Sequence, residues 1–283
     1  MLQPVYLYMC LIISLVMTSS APAAGEIKAI AHPSLSDTTQ RWHGYDYLEF
    51  TFDGVSAKIA FPLNPAKERP WIWRTQFWDH QPQTDLALLA RGFFVVYVDL
   101  VDLYGSPVAV SRANRFYDFL VRNFALNPKV TLEGFSRGGL DALNWAIANP
   151  TKVACLYLDA PVCDIKSWPG GLGQGQGSRE DWRKCLRIYG LDSSSVLTFQ
   201  GTTVHQAGIL AKAQIPILSV CGDADDIVPL VENTYALANK MREAGGDIQI
   251  IIKKGVGHHP HSLADPQPIV DFILTHTLLK EKK

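Results

Sequence analysis

The stretch from Lys129 to Asn149, KVTLEGFSRGGLDALNWAIAN, restricts this chain more than any other. A β-branched run at 130–132 leads at once into Gly134-Phe135-Ser136-Arg137-Gly138-Gly139. A helical pattern follows, with Leu140, Leu143, Ala146 and Ile147 at three- and four-residue spacing. Strand, glycine-flanked serine, helix is the context a G-x-S-x-G nucleophile elbow requires. A serine on so sharp a turn occupies strained backbone space, and side chains two residues to either side would collide. The turn lifts the Ser136 hydroxyl out of the sheet and aims a helix N-terminus at it. That end carries unpaired N–H groups and a partial positive charge. The Arg137 N–H becomes a candidate donor to a developing oxyanion.

The chain has 283 residues, of which 47% are hydrophobic, enough to bury the core of one α/β domain of ordinary size. Its 26 basic and 27 acidic residues leave a net charge of −1, with no long run of one sign. That balance offers no footprint for nucleic acid or an anionic membrane.

Residues 5–17 are apolar apart from Ser14, and residues 18–25 are small and polar. Ala21-Pro22-Ala23 supplies small residues for cleavage after Ala23 or Ala24. Residues 1–24 are therefore expected to be a signal peptide, the chain secreted or periplasmic, with no stable membrane insertion after its removal. Export permits disulfides. Cys163 and Cys185 bracket a glycine-rich excursion and are the expected pair, while Cys155 and Cys221 fall in buried-strand patterns and read as inert core thiols.

Two β-rich runs, 45–52 and 55–61, flank Asp53-Gly54 and predict a hairpin. Residues 70–73 read as a short central strand, 84–91 as a helix capped by Thr84 and stopped by Gly92, and 93–98 as a buried strand. A helix over 109–124 precedes the Ser136 unit, and a strand over 153–158 follows it. The segment 161–203 then breaks the alternation, with Gly170, Gly171, Gly173, Gly175 and Gly177 close together and Trp168 and Trp182 beside them. It reads as a cap or lid inserted in a domain spanning 25–283, the insertion covering about 161–205. Strands at 216–220 and 248–252 and helices at 230–244 and 268–279 complete the pattern. Alternating strands and helices predict a mostly parallel sheet with helices on both faces.

Two segments supply what an activated serine needs, a base and a group to orient it. The strand at 216–220 runs into Cys221-Gly222-Asp223-Ala224-Asp225-Asp226-Ile227-Val228-Pro229, and the strand at 248–252 into Lys253-Lys254-Gly255-Val256-Gly257-His258-His259. Both follow strand carboxyl ends, the edge at which open α/β sheets bind ligands. With G-x-S-x-G, these G-D-x-D-x-x-V-P and G-x-G-H segments give the chain order Ser…Asp…His. From about Tyr45 onward the chain resembles an α/β-hydrolase, and the two segments resemble those of bacterial esterases and prolyl-oligopeptidase-like hydrolases. The resemblance implies an α/β-hydrolase fold, Ser136 as nucleophile, His258 as base and Asp225 as the acid, four residues before Pro229. It also implies a second oxyanion donor after the 70–73 strand. Many relatives carry His-Gly there; this chain carries Arg74-Thr75-Gln76-Phe77, so the Thr75 and Gln76 N–H groups are both candidates.

Asp223, Asp226 and Asp159 are alternative acids, read as loop acids and a turn cap. His259 and His261 beside His258 complete no known metal spacing, so no metal and no cofactor is expected. Trp78 and Trp168 are candidate substrate platforms, and Arg74 is either a grip for a substrate carboxylate or a loop brace. Together these readings predict an exported serine hydrolase acting on a small-molecule or glycan ester. A peptidase or amidase with the same triad is the alternative, and a non-catalytic binding protein on the same fold is the third reading.

Overall fold

The computed structural model describes residues 40–277; the expected signal segment lies outside them. Among the described residues nine strands form one sheet. Strands β1 (Gln40–Trp42), β2 (Tyr45–Phe52) and β3 (Val55–Ala60) make an antiparallel edge. The expected Asp53-Gly54 turn joins β2 to β3, both residues at positive φ (49° and 78°) as such a two-residue hairpin demands. Strand β3 pairs antiparallel with β5 (Phe94–Val98). From β5 the sheet is parallel through β4 (Trp71–Arg74), β6 (Val130–Phe135), β7 (Val153–Asp159), β8 (Ile217–Gly222) and β9 (Gln249–Lys253). Reversal of β4 and β5 in the order puts β4 beside β6, so the loops after them meet at one edge.

Strand alternation divides the core. On one face Trp71 and Trp73 of β4 stack at 6.1 Å, and Trp73 meets Phe116 and Trp145 edge-on. Helices α2 (Pro107–Phe124), α3 (Gly138–Ala148), α6 (Thr203–Lys212) and α7 (Thr234–Glu243) cover this face. On the other, Ile72, Val95, Tyr157 and Val220 pack against α1 (Gln83–Leu89) and α8 (Gln267–Thr277). Each large apolar side chain taken from water contributes about 1.5–3 kcal/mol, so the two layers stabilise the sheet between them.

Between β7 and α6 the chain leaves the sheet. This excursion holds α4 (Arg179–Tyr189) and the short α5 (Ser195–Thr198) and builds its own core on Tyr104, Ile165, Cys185 and Val196. Ser178 caps α4 through the Asp181 N–H, and Gly190 ends it at φ 66°. The expected Cys163–Cys185 bridge is not formed: both are unbridged, buried thiols. Cys163 packs in the main core with its thiol toward the Pro161 carbonyl, whereas Cys185 faces the excursion core. Thr84 does not cap α1; Pro82 stands at the cap and Thr84 is buried inside the helix. Helix α2 begins two residues before its predicted start, because Ser106 caps it and Pro107 opens its first turn. Among the described residues no helix is long and apolar enough to cross a membrane.

Arg74 closes the central strands. It is 1% exposed, and its guanidinium lies 2.7 Å from Asp85 on α1 and 3.0 Å from Glu133 on β6. It also donates to the carbonyls of Phe77 and His80 and sits over the Phe135 ring. Burial drives Glu133 well above the usual carboxylate range against the pull of Arg74, and Asp85 pushes it further. Arg74 is therefore a loop brace; it touches no solvent from which a substrate carboxylate could arrive. Replacing Arg74 with Met strands a buried carboxylate and should lower the urea-unfolding free energy by about 3–5 kcal/mol. A loss below about 1 kcal/mol, the scale of an exposed pair, would contradict this role.

Candidate active site

Ser136 occupies the turn between β6 and α3 at φ 49°, the left-handed region that non-glycine residues rarely adopt. Three backbone hydrogen bonds hold it there. Its N–H donates to Asp159, and its carbonyl accepts from Gly139 and Val162, all at 2.8–2.9 Å. The glycines are steric requirements. A Cβ on Gly134 would lie 2.9 Å from the Gly138 carbonyl, and one on Gly139 would lie 2.7 Å from Pro161.

The structure brings Ser136, His258 and Asp225 together. His258 Nε2 is 2.9 Å from Ser136 Oγ, and its Nδ1 is 2.7 Å from Asp225 Oδ2. The other Asp225 oxygen accepts the N–H groups of Ile227 and Val228, which fixes the carboxylate plane. His258 and Asp225 are 7% and 9% exposed. Gly222 permits the meeting: a Cβ there would fall 2.1 Å from the Val256 carbonyl, and the Ala224 N–H donates to that same carbonyl. The competing acids are committed elsewhere. Asp223 accepts the Gly255 N–H, exposed Asp226 meets Gln176, and Asp159 holds the ring of His261 and the Ser262 N–H.

The two oxyanion candidates in the loop after β4 differ in what they bond. The Thr75 N–H donates to the Glu133 carbonyl and its hydroxyl lies 2.8 Å from the Gly138 carbonyl, so Thr75 stitches the loop to β6. The Gln76 N–H makes no backbone hydrogen bond among the described residues, nor does the Arg137 N–H. The two residues meet at the start of α3, where a Cβ on Gly138 would lie 3.0 Å from the Gln76 side chain. Beyond Gln76 the loop is strained, with Phe77, Asp79 and Gln81 all at positive φ. Arg74 grips two of its carbonyls and offsets that cost.

Asp141, buried in the first turn of α3, holds Gln76 from behind. One oxygen accepts the Gln76 Nε2–H at 2.9 Å and the other the Gly105 N–H at 2.9 Å. Burial nevertheless pushes its carboxyl up to about 7. Sequence reasoning missed Asp141, since a lone acid inside a predicted helix carries no signal.

The remaining candidates fall differently. Trp78 packs against Trp42, Tyr47 and Tyr97, so it is spent on the sheet rather than offered as a platform. Trp168 lies half-buried against Tyr104 in the excursion core. The Arg137 side chain spans from the Ser136 turn toward α4, its guanidinium 3.8 Å from Asp181 and over the Phe77 ring. Its Nε is buried without a partner. Next to Ser136, His258 and Asp225, the rings of His80, His259 and His261 form a second imidazole cluster, and partial desolvation together with the neighbouring rings lowers the pKa of His80 and His259.

No family model matches the chain, and no curated protein matches it. Solved structures do. A puromycin-hydrolyzing peptidase of Mycobacterium tuberculosis superposes with a TM-score of 0.64 at 16% identity, over 82% of this chain and 39% of that one. The acylaminoacyl peptidase of Pyrococcus horikoshii gives 0.63 at 14% identity, over 84% and 43%. An acylaminoacyl peptidase in complex with a Z-Gly-Gly-Phe chloromethyl ketone gives 0.60 at 14% identity, over 84% and 42%. The chain thus spans about two fifths of the length of these structures. Its parallel sheet, the β4–β5 reversal and helices on both faces give it the α/β-hydrolase fold, the fold of the prolyl-oligopeptidase-like and acylaminoacyl peptidases.

Proposed function

We propose that the chain is a serine hydrolase that cleaves an acyl bond through an acyl-enzyme on Ser136, and that the bond is an amide or peptide. The observation that carries the reading is the continuous line from Ser136 Oγ through His258 to Asp225, at 2.9 and 2.7 Å. His258 Nε2 takes the hydroxyl proton as Oγ attacks the carbonyl, then returns it to the leaving amine. Asp225 accepts the Nδ1–H, which fixes the tautomer and stabilises the imidazolium. The Arg137 and Gln76 N–H groups receive the oxyanion. Water then repeats the cycle on the acyl-enzyme.

The residues alone favour an ester, with a carbohydrate-linked one as a possibility, over an amide, but the side chains that pointed to a glycan are engaged within the fold. Arg74 and Trp78 are occupied in the fold. The solved structures named above are peptidases, which favours the amide. An intact triad speaks against a non-catalytic binding protein. The export reading rests on residues 1–24 alone.

Aminoacyl 4-nitroanilides, short peptides and p-nitrophenyl and acetylated-sugar esters, assayed side by side, test the reading. Native enzyme should cleave the anilides or peptides, and Ser136→Ala should lose turnover by about 10⁴-fold or more while remaining folded. Turnover of sugar esters alone would return the ester reading. Equal turnover by Ser136→Ala would end the acyl-enzyme.

Asp141 gives a second expectation. Asp141→Ala removes the acceptor for Gln76 and should lower kcat about 10- to 100-fold through a misplaced oxyanion donor. The pH dependence has a defined sign. The folded pKa lies above the ordinary aspartate value, so the folded protein holds this proton more tightly than the unfolded chain. Stability from Asp141 is full below the ordinary value and is lost as pH rises to about 7. Asp141→Asn cannot ionise, so its urea-unfolding free energy relative to wild type should improve between about pH 5 and pH 8. A difference that does not change with pH would contradict the buried acid.

A further inference from the structure

The cluster beside the triad has the composition of a metal site. His80 comes from the strained loop after β4, and His259 and His261 come from the loop after β9. One ring nitrogen from each lies within 4.8 Å of the others. Their rings meet edge-on, His259 and His261 at 4.8 Å between centroids and His80 and His261 at 5.7 Å.

His261 is the anchor. It is 3% exposed, and its Nδ1 is 2.8 Å from Asp159 Oδ1, which leaves Nε2 for a ligand. Asp159 is fully buried and is itself held by the Ser262 N–H and the Tyr157 hydroxyl. Carboxylate behind imidazole is the arrangement that fixes the tautomer of a metal-binding histidine and raises its basicity. Lys253 ties down the same segment by donating to the carbonyls of Pro260 and Ser262. His80 and His259 are exposed, so their rings are reachable and can turn. His258 stands apart although its ring centroid is 4.9 Å from that of His261, because both of its nitrogens are engaged, by Asp225 and Ser136.

The geometry points to a site for one borderline divalent transition-metal ion, zinc by preference, held by His80, His259 and His261 with water in the fourth position. Three imidazoles with no carboxylate in the inner set select such an ion over magnesium or calcium. Zinc–nitrogen bonds of about 2.0–2.1 Å require nitrogens about 3.4 Å apart, so the two exposed rings must close by about 1 Å or a little more. The ion would tie the loop of Gln76 to the loop of His258, two segments that meet at the rings of His80, His259 and His261. Its role is a clasp on the active-site rim, and it does not depend on what bond the triad cleaves.

Calorimetric titration of the metal-stripped full chain with zinc chloride, beside a thermal melt, tests this. One zinc should bind per chain, and the melting temperature should rise by several degrees at saturating zinc. Magnesium should do neither. His80→Ala and His259→Ala, both at exposed positions, should each weaken zinc binding at least about tenfold, and the double variant more. His258→Ala should bind zinc as the native chain does. No binding by the native chain, or binding kept by the double variant, would overturn the site. Binding lost in His258→Ala but kept in His80→Ala would place the zinc on the triad and overturn it equally.

Discussion

The sharp turn at Ser136 is the constraint on which the rest of the structure depends. A positive φ at a serine is costly, and it persists only where the surroundings over-determine it. Here three backbone hydrogen bonds from the ends of β7, α3 and the excursion converge on one residue, and glycines on either side leave no space for a relaxed path. The consequence reaches outward. Gly138 must sit against Thr75 and Gln76, so the loop after β4 is drawn to the start of α3. That loop is itself strained, and the buried Arg74 pins it by its carbonyls to Asp85 and Glu133. One hydroxyl is thus placed by elements that follow β4, β6 and β7.

Two aspartate–histidine pairs stand side by side at this edge. Asp225 follows β8 and holds His258; Asp159 ends β7 and holds His261. Adjacent parallel strands ending in the same chemistry give two imidazoles whose centroids are 4.9 Å apart and whose fates differ. His258 turns its second nitrogen to Ser136, and the His261 ring lies against those of His80 and His259. The difference lies in what meets each ring, not in the pair itself.

Local chemistry made much of this legible in the residues. The Asp53-Gly54 hairpin, the buried strands and the Ser136 unit each carry their signal within a few positions, because turn residues and periodicity act over short range. Asp225 and His258 could be read because each follows a strand end in a recognisable segment. What was not legible is set by partners distant in sequence. Arg74 looks like a ligand for substrate until Asp85 and Glu133, 11 and 59 residues on, enclose it. Cys163 and Cys185 look paired from their spacing, yet they face two different cores. His80 carries no signal at all until folding sets it against His259. Charge burial, thiol pairing and ligand clusters are tertiary properties, and spacing along the chain does not encode them.

The central claim is that Ser136 is the activated nucleophile of a single proton-transfer line. Peptide mapping by mass spectrometry after exposure to a fluorophosphonate reads this at the residue itself. One adduct on the Ser136 peptide is expected for the native chain, and a rate of labelling at least about 10³-fold lower for His258→Gln. No adduct on Ser136, or equal labelling when His258 is replaced, would contradict the account.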